Sequence, residues 1–167
     1  MATRKASVRS FQTSVDIPAA DRARIARILN QHLADSFDLA SQVKQAHWNV
    51  KGSHFWQLHK LFDELAEEVE EWVDEIAERV TALGGYATGT VRMAAASSSL
   101  PELPATITEG MEYVKAIAAR LAAFTNSARK AIDQTDKLGD ADTADLFTEI
   151  SRSADKYLYF LEAHLQG

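Results

Sequence analysis

Apolar positions recur every three or four residues through most of the chain, the spacing of one buried helix face. In the first such run Ile25, Ile28, Leu29, Leu33, Phe37, Ala40 and Val43 mark the stripe. Asp16 stands ahead of it as a plausible cap, Pro18 suits the first turn, and Gly52-Ser53 end it. A second run, from about Ser53 to Leu83, carries Phe55, Leu58, Leu61, Phe62, Leu65, Val69, Trp72, Ile76 and Val80 and stops at Gly84-Gly85. Residues 84–104 hold glycines, prolines and a serine run instead. They predict a long connection with room for a short helix at Val91–Ala96. A third helix is expected from about Pro104 to Thr135, carried by Met111, Val114, Ile117, Leu121, Phe124, Ala128 and Ile132. A fourth is expected from about Asp142 to Leu165, through Leu146, Ile150, Tyr157, Leu158 and Leu161. No alternating strand pattern competes. The expectation is an all-α four-helix bundle with a long crossover between its second and third helices.

Composition narrows the chemistry more than the fold. The chain lacks cysteine, which excludes disulfides, thiolate catalysis and sulfur-ligated metal, so a metal here must sit on His, Asp or Glu. No apolar run reaches membrane-spanning length, and the basic start is not followed by an apolar stretch, so a cytoplasmic protein is expected. The net charge of −6 is uneven. Residues 1–15 hold Arg4, Lys5 and Arg9 and no acid, which leaves −9 on residues 16–167. The chain therefore reads as a flexible basic tail, 1–15, on an acidic domain, 16–167. Such a tail can reach the phosphates of nucleic acid, or it can simply be a solubilising arm.

The second helix carries the candidate chemistry. His59 and Asp63 are four residues apart, as are Asp74 and Glu78, and eleven residues separate Asp63 from Asp74. All four fall on one stripe. His47, near the end of the first helix, is a fifth candidate. At about 1.5 Å per residue, His59 and Asp74 lie roughly 22 Å apart along the axis, too far to share an ion within one chain. Two copies of the helix running antiparallel about a two-fold would bring His59 and Asp63 of one to Asp74 and Glu78 of the other, twice per dimer. On pattern alone the dense acids are as readily a solvated face, and either histidine as readily structural. His32, His54 and His164 read as surface or packing residues.

The stretch KQAHWNVKGSHFWQLHKLFDELAEEVEEWVDEIAERVTALGG, Lys44 to Gly85, resembles the Dps family of mini-ferritins (DNA-binding protein from starved cells). The resemblance implies a ferritin-like four-helix bundle with a long crossover. It implies that His47, His59, Asp63, Asp74 and Glu78 ligate iron, the last two from a symmetry mate, with two ions possible per inter-subunit site. None of the five departs from the family pattern. Trp48 would be a site-adjacent electron donor, Trp56 and Trp72 packing residues, and Lys44 and Arg79 partners for nearby carboxylates. The implied activity is ferroxidase, Fe(II) to Fe(III), with hydrogen peroxide or dioxygen as oxidant and storage in a hollow shell of twelve subunits. Asp136, Asp140, Asp142 and Asp145 would line an acidic pore, though Asp140 or Asp142 is also a natural helix cap. DNA contact through Arg4, Lys5 and Arg9 would be sequence-independent. The alternative is a nucleoid-compacting DNA-binding protein with little iron chemistry. A diiron oxygenase would need two ExxH motifs, and the chain has neither.

Overall fold

The computed structural model describes residues 9–166. It contains five helices: α1 (Ala19–Asn49), α2 (Phe55–Ala82), α3 (Val91–Ser97), α4 (Gly110–Asp136) and α5 (Ala141–Ala163). The four long ones form the expected bundle, and α3 is the short helix in the crossover. Among the described residues no helix is long and apolar enough to cross a membrane.

The bundle is two antiparallel hairpins, α1–α2 and α4–α5. A Cβ on Gly110, at the start of α4, would meet Leu58 Cδ1 at 3.0 Å and the Lys51 carbonyl oxygen at 3.4 Å, so α4 begins beside the α1–α2 turn. Ser127, further along α4, bonds back to His32, so α4 runs antiparallel to α1 and parallel to α2. Arg79, near the end of α2, bonds to Thr143 at the start of α5. The order is therefore up, down, down, up, which only a long crossover can connect.

That crossover lies along α1 and is held by side chains of α1. Asn30 donates to the Tyr86 carbonyl (3.1 Å) and accepts from Thr88 N (2.9 Å). Asp35 accepts from Ser99 N (2.6 Å) and Asp38 from the Ser98 hydroxyl (2.6 Å). Arg120, buried on α4, donates to Gln42 (2.6 Å) and to the Glu102 carbonyl. The core fills the space between the hairpins with Phe62, Phe124 and Phe147, and Trp72 stacks on Phe124 at 5.7 Å. His32 is a packing residue, its ring edge-on to Phe147, while His54 and His164 are exposed.

Some boundaries differ from the sequence reading. Asp16 does not cap α1. Pro18 holds the N-cap position with an extended ψ of 137° and no side-chain cap, and Arg22 takes up the Val15 and Ile17 carbonyls instead. The third helix starts at Gly110 rather than Pro104, because Ile107 N closes a turn on the Pro104 carbonyl and Glu109 is extended. Of the tail, residues 1–8 lie outside the described residues. Phe11 N donates to the Gly84 carbonyl, and Val15 and Ile17 pack on the core. Gly84 has φ +80°, and a Cβ there would stand 2.5 Å from the Phe11 carbonyl oxygen.

Candidate metal centre

The α1–α2 turn presses the last turn of α1 against the first turns of α2. Reciprocal hydrogen bonds lock the two together. His47 donates through Nδ1 to the carbonyl of His59 (2.8 Å), and His59 through Nδ1 to the carbonyl of His47 (2.9 Å). A carbonyl can only accept, so each Nδ1 carries the proton and each Nε2 is left with a lone pair. The two rings stack at 3.8 Å, and Phe55 leans on His59 at 5.0 Å. In this tautomer the neutral imidazole can ligate a divalent cation through Nε2, with its other nitrogen held by a carbonyl.

Asp63 stands one turn beyond His59. Its carboxylate accepts from the Lys44 ammonium at 2.6 Å and lies 3.7 Å from His47 Nδ1. The bond to Lys44 draws the Asp63 carboxyl below the usual carboxylate range and holds the Lys44 ammonium above its own. His47, His59, Asp63 and Lys44 thus come together. Asp74 and Glu78 do not join them; they are exposed, further along α2. Among the described residues no three His, Asp or Glu side chains of one chain converge as an ion would need.

Other expected residues fall differently. Trp48 is 62% exposed beside the histidines. Trp72 is core, but Trp56 is 68% exposed, so packing within the chain does not explain it. Its place next to Phe55, at the mouth of the turn, puts it outside the bundle. Arg79 finds its carboxylate partner in Asp140 (2.6 Å), just before α5, and donates also to Thr143 (2.8 Å). Asp140 is buried and accepts from Thr143 N, so it caps α5, while Asp136, Asp142 and Asp145 are exposed. Arg9 lies over the Phe11 ring; Arg4 and Lys5 lie outside the described residues. Sequence reasoning had no signal for the reciprocal His47–His59 bonds, which involve backbone carbonyls.

A family model described as "Ferritin-like domain" matches residues 26–167. The "DNA protection during starvation protein" of Agrobacterium fabrum is 40% identical over 159 residues, 95% of this chain and 98% of that one. The chain belongs to the Dps branch of the ferritin-like family. Solved Dps structures superpose closely. "DpsC from Streptomyces coelicolor" has a TM-score of 0.91 at 29% identity, covering 100% of this chain and 97% of that one. An archaeal Dps homologue from Halobacterium salinarum has a TM-score of 0.90 at 27% identity, covering 99% and 92%.

Proposed function

We propose that this protein is a ferroxidase and iron-storage protein whose metal site is completed across a two-fold between subunits. The observation that carries this reading is the pair of tautomer-locked imidazoles, His47 and His59, close to partly exposed Asp63, while among the described residues no three such side chains of one chain converge on an ion. Asp74 and Glu78 of a second copy would supply the missing oxygens. A nitrogen and oxygen donor set without sulfur suits ferrous iron as substrate, and it also accepts zinc or manganese.

The substrate chemistry is a two-electron balance. Two Fe(II) ions each lose one electron to hydrogen peroxide, which takes two protons and leaves as two waters, so no hydroxyl radical is released. Dioxygen is the second oxidant to consider. Trp48 stands next to His47 as a one-electron donor for stray oxidising equivalents. The protein supplies the ligands and their geometry. The carboxylates of α2 and α5 draw cations to one face of the bundle, and Asp136, Asp142 and Asp145 are the acids available to a pore. In a hollow homo-oligomer of twelve, ferric product collects as hydrous oxide on the acidic side, and DNA outside is spared peroxide chemistry.

Mixed assemblies test the shared site. His59→Ala and Glu78→Ala subunits are each inactive alone. Refolded together, they form two-fold pairs in which one of two sites is intact, so about a quarter of the wild-type rate of iron oxidation returns under random pairing. A mixed preparation as inactive as its parents would reject the split site.

A further inference from the structure

Acids outnumber bases 24 to 18 in the chain, and most of the acids lie on α2 and α5. The opposite side, where α1 meets α4, is different. A cleft of about 700 Å³ opens there, lined by Arg24, Arg27, Gln31, Ser127, Gln134 and Lys137, with buried His32 at its floor. A second cleft, of about 1060 Å³, continues from it along α1, sharing Arg27 and Gln31 and adding Arg9 and Arg22. Among the described residues no acidic side chain lines either cleft. Five cations therefore border one continuous trough on a net-acidic chain.

Some of these cations are already engaged. Arg22 donates to the Val15 and Ile17 carbonyls, and Arg24 pairs with Asp21 at 3.2 Å. Arg27 and Lys137 are exposed, and among the described residues neither forms an ion pair. Between them stands the amide of Gln134, a neutral group that can donate to phosphate oxygens, while Gln31 already donates to Asp35 and the Ser97 carbonyl, and Ser127 to His32. Cations spread along a trough, rather than converging on a point, match an anion that repeats along a line. Arg4 and Lys5 precede Arg9 by only a few residues of sequence.

We propose that the α1–α4 trough, centred on Arg27 and Lys137, is a binding site for the phosphate backbone of duplex DNA. The assignment goes beyond the function proposed above and is independent of the metal centre. It moves DNA recognition from the tail alone to the folded body, with the tail feeding the same trough. Copies of the trough on one assembly would add their affinities.

The test uses the assembled full-length protein and a short labelled duplex of arbitrary sequence across a salt series. Arg27→Gln with Lys137→Gln is compared with Lys115→Gln with Arg152→Gln, exposed cations outside the trough that remove the same net charge. The trough variant is expected to bind about tenfold or more weakly at low salt, with a salt slope shallower by about 0.9 for each phosphate it no longer neutralises. The control pair should bind nearly as wild type, and iron oxidation should be unchanged in both. If the trough variant binds as tightly as wild type, or the control is weakened as much, the trough is not the site although DNA is bound. If the wild type itself fails to bind at low salt while oxidising iron, the trough assignment fails and the ferroxidase reading stands.

Discussion

The Lys44–Asp63 pair is the residue-scale feature with the sharpest consequence. A cation arriving at Asp63 must displace an ammonium that already holds the carboxylate at 2.6 Å. Charge-assisted bonds of this length are among the stronger ones, though partial exposure of both groups weakens this one. Lys44→Met should therefore tighten divalent binding several-fold, measured by calorimetry with redox-inert Zn(II). Unchanged or weaker binding would mean that Lys44 positions Asp63 rather than competing for it. The residues that come together were legible in the sequence: the spacing put His59 and Asp63 on one face, and His47 stood near the end of the first helix. What was not legible is how the imidazoles are held. The bonds run to main-chain carbonyls across the α1–α2 turn, and a carbonyl has no residue type.

Among the elements, α5 depends most on a single residue. Asp140 accepts from Thr143 N and from Arg79 of α2, so one carboxylate both caps a helix and ties the two hairpins together. Asp140→Ala should cost about 2–3 kcal/mol, a cap of about 1 kcal/mol plus a half-buried guanidinium left unpaired. Asp142→Ala, exposed and only 3.8 Å from Arg79 at its nearest, should cost well under half as much. Chemical denaturation of the two variants separates them, and equal destabilisation would contradict the cap assignment. Apolar periodicity predicted the four long helices because each buries one stripe. It could not place the start of α4, where the turn at Pro104–Ile107 leaves the pattern almost unbroken, nor foresee that Arg79 answers a residue 61 positions away.

For the whole molecule, charge is segregated by side. On α2 and α5, Glu75 is pushed above the usual carboxylate range, first by partial burial and then by Glu149, Glu71, Glu68 and Asp74. The sign follows from linkage. An acid whose folded pKa is raised binds its proton more tightly folded than unfolded, so its contribution falls as pH rises through the carboxylate range. In metal-free protein Glu75→Gln should raise the melting temperature near about pH 7, and the gain should vanish by about pH 3, where the unfolded chain is protonated as well. A gain that persists in acid would point to packing instead. The uneven charge along the sequence was readable from the outset, but its division into an acidic α2–α5 side and a basic α1–α4 trough needed the helix order. The crossover sets that order. Asn30, Asp35 and Asp38 hold residues 86–99 of this connection against α1, which predicts that it resists proteases despite its exposure. Arg92, exposed within it, should resist trypsin in the native protein and be cut many-fold faster after Asp35→Ala with Asp38→Ala, because cleavage then needs only local release of the strap.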